Sequence, residues 1–295
     1  KERRMNVLFS EENKMYTTLG FCALAAVTFY FLIGKKKGKK SKKGSKRISG
    51  ILNPDKYIPF KLQSITPLTV NVACPVYQYR FVAPNKTDKI GLPVGMHFFL
   101  RAKIQDADVL RPYTPISSDD DIGYFDLLLK IYPKGKMTQH VHHMKIGDQI
   151  DVKGPKGRFV YKKNQYKHIG MIAGGTGITP MLQIITEILK RSDDDTIISL
   201  IFGNVTYEDI ILRDHLNALA KKHTNAFNLY YVLDKPPKDW DMGSGFITSA
   251  MIKQQFPGPD KDNFVLLCGP PPMVRACRKN LDSLGYDSKK QSFAF

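Results

Sequence analysis

Apolar positions follow two different patterns along this chain of 295 residues. From Tyr57 to about Tyr161 they gather in short runs rich in β-branched and aromatic residues: LTVNVACPVYQYRFVA, GMHFFLRAKI, YFDLLLKIYP and DQIDVKGPKGRFVY. Turn residues separate the runs, and strands at this spacing predict a small antiparallel barrel. One helix, Thr138–Met144, is expected to interrupt it. After Asn164 the pattern changes. The apolar runs HIGMIA (His168–Ala173), TIISLIFG, FNLYYVLD and FVLLCG alternate with helical stretches at Pro180–Lys190 and Thr206–Lys222. That alternation predicts an α/β domain with a doubly wound parallel sheet.

A third pattern precedes both. Met15–Ile33 (MYTTLGFCALAAVTFYFLI) carries no formal charge. As a helix it would span ~28 Å, close to the ~30 Å hydrocarbon core of a bilayer. Nine of the thirteen residues Lys35–Arg47 are basic. A secretory signal normally has a shorter apolar core and ends at a small-residue cleavage site, so the lysine block favours an N-terminal transmembrane helix. The fold class expected is therefore two-domain, with a membrane anchor in front. The division expected is 1–34 for the tail and anchor (helix 15–33), 35–53 for a basic linker, 54–164 for the barrel and 165–295 for the parallel-sheet domain.

The net charge of +18 divides unevenly, because residues 1–50 hold thirteen Lys and Arg against three Glu, a net of +10. The remaining +8 is ordinary for a globular body. The basic tail beside an apolar segment points to membrane electrostatics rather than to nucleic acid. The positive-inside tendency then puts the body on the cytosolic side. Four cysteines, Cys22, Cys74, Cys268 and Cys277, have no disulfide or zinc spacing. His140 and His143 share one face of the expected helix, but no third ligand accompanies them, and a metal is not expected.

Chemistry concentrates in three segments. Arg111-Pro112-Tyr113-Thr114-Pro115 sets a fixed cation beside an aromatic ring and a hydroxyl, a combination suited to a pyrophosphate and a planar cofactor. Gly174-Gly175-Thr176-Gly177-Ile178-Thr179-Pro180 lies between a strand and a helix, where a glycine turn lets backbone amides approach phosphate. Cys268-Gly269-Pro270-Pro271-Pro272-Met273 follows a strand and must turn sharply, since proline continues neither ladder nor helix interior. Asp234 ends FNLYYVLD, at the edge where parallel sheets bind ligands. There it serves either as an acceptor for ribose hydroxyls or as a cap that orders its loop.

In this order, over roughly Ile51–Phe295, these segments resemble the ferredoxin-reductase-type flavoenzymes, and among them the NADH–cytochrome b5 reductase family. The resemblance implies FAD and NADH as cofactors. It implies that Arg111, beside Pro112, neutralises the FAD pyrophosphate, that Tyr113 packs on the isoalloxazine and ribityl, and that Thr114 hydrogen-bonds near flavin N5. Leu128, Lys130 and Pro133 fall on and after the flavin-lining strand, though the loop here is shorter than in animal members. Gly135, Lys136, Met137 and Thr138 fall at the phosphate-receiving helix start. Gly175, Thr176 and Gly177 fall beside the nicotinamide dinucleotide, with Thr179 close enough to reach FAD. Cys268 would help to position the nicotinamide ring, with Gly269, Pro270 and Met273 in the same turn; a buried structural cysteine is the alternative. Phe295 would close on the flavin, and Asp234 would favour NADH.

Thr114 and Cys268 are the expected catalytic positions, and no side-chain acid or nucleophile is required. The implied acceptor is cytochrome b5 or another acidic haem protein, served by a monomer on the endoplasmic reticulum or mitochondrial outer membrane. A flavin module of the nitrate-reductase type and a non-catalytic, membrane-tethered nucleotide-binding protein are the alternatives.

Overall fold

A computed structural model describes residues 50–69 and 72–295. The apolar stretch Met15–Ile33 and the lysine block lie outside them. Among the described residues no helix is long and apolar enough to cross a membrane.

The first lobe holds β1 (Ile58–Thr69), β2 (Val76–Val82), β3 (His97–Ile104), β4 (Ala107–Tyr113), β5 (Tyr124–Lys130) and β6 (Gln149–Lys156), with helix α1 (Lys136–His142) between β5 and β6. The strands pair antiparallel in the order β4-β3-β6-β1-β2-β5. Side chains of a strand alternate between faces, and β3 shows it plainly: Phe98, Leu100 and Ala102 are buried while their neighbours are not. Phe98 on β3 and Phe125 on β5 nevertheless have ring centroids 4.7 Å apart. Four strand spacings separate β3 from β5 in the sheet order, ~19 Å if the sheet were flat. The sheet is therefore rolled around one aromatic core, with Phe60, Phe81 and Tyr79 also fully buried. The expected barrel is present with its β4 and β5 edges not hydrogen-bonded to each other.

Five consecutive residues of β5, Phe125 to Leu129, are buried. Phe125, Leu127 and Leu129 face the barrel core, whereas Leu128 packs with the second lobe. Asp126 is held by a two-pronged pair with Arg80, Nε to Oδ1 at 2.8 Å and Nη2 to Oδ2 at 2.7 Å. Its backbone stitches the Thr114–Ser117 turn in place: Ile116 N–H donates to the Asp126 carbonyl, and Asp126 N–H donates to Ser117 Oγ.

The second lobe holds β7 (His168–Gly174), β8 (Ile197–Asn204), β9 (Phe227–Leu233), β10 (Gly243–Ser244), β11 (Asn263–Cys268) and β12 (Ser292–Ala294). They form a parallel sheet in the order β10-β9-β8-β7-β11-β12. Its helices are α2 (Ile178–Leu189), α3 (Arg213–Lys222), α4 (Ser249–Gln255) and α5 (Pro271–Ser283). β7 is buried along its whole length, as a central parallel strand must be.

Several boundaries differ from the sequence expectation. The helix expected over Thr206–Lys222 forms only from Arg213: Asp209 accepts hydrogen bonds from the Thr206 N–H and hydroxyl, and Leu212 takes a left-handed φ of 55°. These local bonds satisfy the backbone in a turn instead. α1 starts at Lys136 rather than Thr138, and α2 starts at Ile178, which places Pro180 in the first turn where its missing N–H has no helical partner to lose. The prolines after Cys268 do turn the chain, and they also begin α5, with proline in its first positions.

His168 opens β7, is 8% exposed as a residue and has Nε2 3.0 Å from Ser199 Oγ. Burial pushes its pKa down to about 4. The fold thus holds the neutral ring, whereas the unfolded chain protonates near pH 6.5. The contribution is complete above about pH 6.5 and is lost as the pH falls towards 4, up to about 3 kcal/mol. A His168→Asn variant should show a flatter decline of Tm between pH 6.5 and 4.5 than the parent; parallel curves would contradict the assignment.

Candidate functional site

A cleft of about 1100 Å³ runs between the lobes. One wall comes from the barrel: Tyr113 and Thr114 at the end of β4, Leu128 and Lys130 at the end of β5, and Thr138 on α1. The opposite wall comes from the carboxyl ends of β7, β8, β9 and β11, and Phe295 also lines the cleft. The lobes are tied beside it by Gly95 N–H donating to Gln183 Oε1 at 2.7 Å, and by Lys130 paired with Asp209 at 3.3 Å.

Glycine is a steric requirement at the junction of two loops. Gly175–Gly177 form a single 3-10 turn after β7. A methyl group at Gly177 would sit 2.1 Å from the carbonyl oxygen of Cys268. Methyl groups at Gly174 and Gly269 would lie 2.7 and 2.5 Å from the Met273 side chain. The glycine turn and the Cys268–Met273 segment are thus packed backbone against backbone. Gly175, at φ +53°, has nothing within 4 Å of where its Cβ would be. Its turn opens into the cleft.

Burial fixes the protonation of two cleft groups. It pushes the Tyr113 phenol up to about 12 and the Cys268 thiol up to about 11. Cys268 therefore stands as a thiol near neutral pH, which argues against a nucleophilic role, since the thiolate is the reactive form. Thr179 donates its hydroxyl to the Thr176 carbonyl at 3.2 Å, and Thr138 donates to the Gly135 carbonyl at 3.1 Å. Each hydroxyl oxygen keeps lone pairs for a ligand donor.

The cleft brings together Pro112, Tyr113, Thr114, Leu128, Lys130, Thr138, Gly175, Thr176, Gly177, Thr179, Asp234, Cys268, Gly269, Pro270, Met273 and Phe295. Five of the sequence-predicted residues lie outside its walls. Arg111 is exposed and donates through Nη1 to the Leu110 carbonyl. Pro133 is exposed in the turn closed by Gly135 N–H on the Tyr132 carbonyl. Gly135 and Lys136 start α1 just behind Thr138, and the Met137 side chain is 2% exposed in the barrel core, which leaves only its backbone for a ligand.

The structure also adds residues that sequence inspection passed over, chiefly His97, Asn204 and Phe246. Phe246 is 84% exposed and follows Gly245, whose φ is +79°. Asn204 ends β8 as Asp234 follows β9, and a polar residue closing an apolar strand was the available signal.

The residues present fit two extended cofactors. The cleft is long, walled by apolar groups, and carries hydroxyls, a lysine and a carboxylate. Asn204 Nδ2 is buried without a hydrogen-bond partner, the one such side-chain atom among the described residues. It is a donor awaiting an acceptor.

Comparison with known proteins agrees with this division of labour. Residues 59–161 match the oxidoreductase FAD-binding domain family, and residues 171–279 match the oxidoreductase NAD-binding domain family. NADH-cytochrome b5 reductase 1 of Dictyostelium discoideum is 47% identical over 275 residues, covering 91% of this chain and 94% of that protein. The protein of the same name in Aspergillus terreus is 51% identical over 250 residues, covering 82% and 83%. Among solved structures, the cytochrome b5 reductase domain of Ulva prolifera nitrate reductase superposes with a TM-score of 0.77 at 35% identity, over 83% of this chain and 99% of that one.

Proposed function

This chain belongs to the NADH–cytochrome b5 reductase family of FAD- and NAD-binding oxidoreductases, and from that premise we propose that it passes electrons from NADH to cytochrome b5 or another acidic haem protein at a membrane surface. The observation that carries the reading is the single cleft that both sets of motifs line. FAD, when bound, supplies the exchange between a two-electron donor and a one-electron acceptor.

The side chains orient and exclude. Tyr113, half-buried and with a neutral phenol, offers a flat apolar face and a phenol donor. Thr114 offers a hydroxyl at the barrel end of the cleft. Arg111, one residue outside the wall, supplies a cation that a diphosphate would draw in from the Leu110 carbonyl. Cys268 and the Gly175–Gly177 turn set how deeply a nicotinamide ring enters, and Phe295 caps the same space. No group in this set has to gain or lose a proton.

For the acceptor, the supporting feature is charge. The body after residue 50 carries +8, and a field of that sign attracts an acidic partner over distances set by ionic strength. For the membrane, the support is the uncharged Met15–Ile33 segment followed by nine basic residues. We assign the body to the cytosolic face of the endoplasmic reticulum or mitochondrial outer membrane, as a monomer, with 54–164 as the FAD domain and 165–295 as the NADH domain.

The purified protein should be yellow, and NADH should bleach its flavin band under anaerobic conditions. Cytochrome b5 turnover should fall steeply with added salt while ferricyanide reduction changes little, because only a docked protein partner depends on long-range steering. A colourless protein, or a flavin band indifferent to NADH, would refute the enzyme reading. Equal salt responses would refute the docked acceptor.

A further inference from the structure

The residues that enter the cleft from the second lobe follow the order of its strands. Phe246 comes after β10, Asp234 after β9, Asn204 at the end of β8, Gly174 at the end of β7 and Cys268 at the end of β11. Neighbouring strands lie ~4.8 Å apart, so Asp234 and Cys268 stand ~14 Å apart across the sheet, with Asn204 between them. The Asp234 N–H donates to the Asn204 carbonyl at 3.0 Å, which fixes these two positions side by side. Asn204 Nδ2 is buried and unpartnered, and its cleft neighbours Gly174, Gly203 and Val205 have no side-chain acceptor to offer.

We propose that Asn204 is a positioning residue whose amide, turned on binding so that Nδ2 faces the cleft, donates to an oxygen of the diphosphate bridge of NADH. The proposal rests on the reading of the cleft as the NADH site. Several observations select the bridge over the rest of the dinucleotide. With its adenosine ribose at Asp234 and its nicotinamide at Cys268, an extended dinucleotide sets its centre over β8 and β7. Diphosphate oxygens accept but do not donate, and an amide N–H is the complement they need. Gly174 and Gly203 stand opposite each other in register, so neither strand end sets a side chain of its own beside Asn204, although Met273 and Pro270 pack against Gly174. Asp234 already provides an acceptor for ribose hydroxyls, so the missing function in this row is a donor.

The test compares ADP-ribose, which contains the bridge, with adenosine, which contains only base and ribose, on the flavin-loaded enzyme. Asn204→Leu should weaken ADP-ribose by about ten-fold or more, as loss of a hydrogen bond to a charged group does, and leave adenosine unchanged. Because the buried donor is unpaired without ligand, the ligand-free Tm of Asn204→Leu should equal or exceed that of the parent. Asn204→Asp keeps the side-chain shape and sets a carboxylate against the bridge; it should lose ADP-ribose more severely still, again sparing adenosine, and it decides the matter if the Leu variant does not fold. Unchanged ADP-ribose affinity in these variants, or parallel loss of both probes, would overturn the role of Asn204. If the unaltered enzyme binds no ADP-ribose and is not reduced by NADH, the NADH site itself is wrong, an outcome distinct from the first.

Discussion

Replacing Gly177 by Ala should cut NADH-dependent flavin reduction by about 100-fold while FAD stays bound. The backbone at Gly177 has a φ of −62°, open to any residue, so the penalty is not conformational. It is steric: the added methyl meets the Cys268 carbonyl at 2.1 Å and its carbon at 2.5 Å, both backbone atoms without a rotamer to change. Either the glycine turn or the Cys268 loop has to move by an ångström or so, and displacement of that size in a hydride-transfer geometry costs about two orders of magnitude. Gly175→Ala is the control. Its φ of +53° costs an L residue roughly 1–2 kcal/mol of backbone strain, but nothing lies within 4 Å of the new methyl. That variant should be less stable and still reducible. Single-turnover reduction measured for both distinguishes the two mechanisms, and equal rates for Gly177→Ala and parent would show that the loops yield.

Asp234→Thr should shift the preference for NADH over NADPH by about 10- to 100-fold, mainly by removing repulsion. Two like charges a few ångströms apart at a surface cost about 1–4 kcal/mol, and the 2′-phosphate of NADPH carries up to two. Asp234 is exposed, lines the cleft and follows the last residue of β9. Among the described residues its carboxylate has neither a salt-bridge partner nor a hydrogen-bond donor, which weakens the alternative that it caps its own loop. Steady-state kcat/KM with both nucleotides tests this. A constant ratio would mean that discrimination lies elsewhere in the cleft.

Much of this molecule is legible in the chain. The alternation in GMHFFLRAKI and the unbroken apolar run HIGMIA identify a half-exposed antiparallel strand and a buried parallel one, because side-chain direction repeats every two residues whatever the surroundings. The order of the motifs, with Tyr113 and Thr114 before the glycine turn and Cys268 after it, likewise determined which lobe carries which wall. Boundaries were less legible, since Asp209 and the left-handed Leu212 hold Thr206–Leu212 as a turn where the composition alone allows a helix.

Other properties are set by contacts between residues far apart in sequence, and no local pattern encodes them. Phe98 and Phe125 meet only because the sheet rolls. Gly177 must be glycine because Cys268, about ninety residues later, passes against it. Arg111 lies just outside the cleft wall, and Met137 belongs to the barrel core, although both stand within apparently uninterrupted binding motifs. A polar strand end marks Asn204 in the sequence, but only packing removes its amide nitrogen from water without supplying an acceptor. Strand periodicity is a property of the backbone and is written residue by residue, whereas steric exclusion and an unpaired buried donor arise only when distant segments occupy the same space.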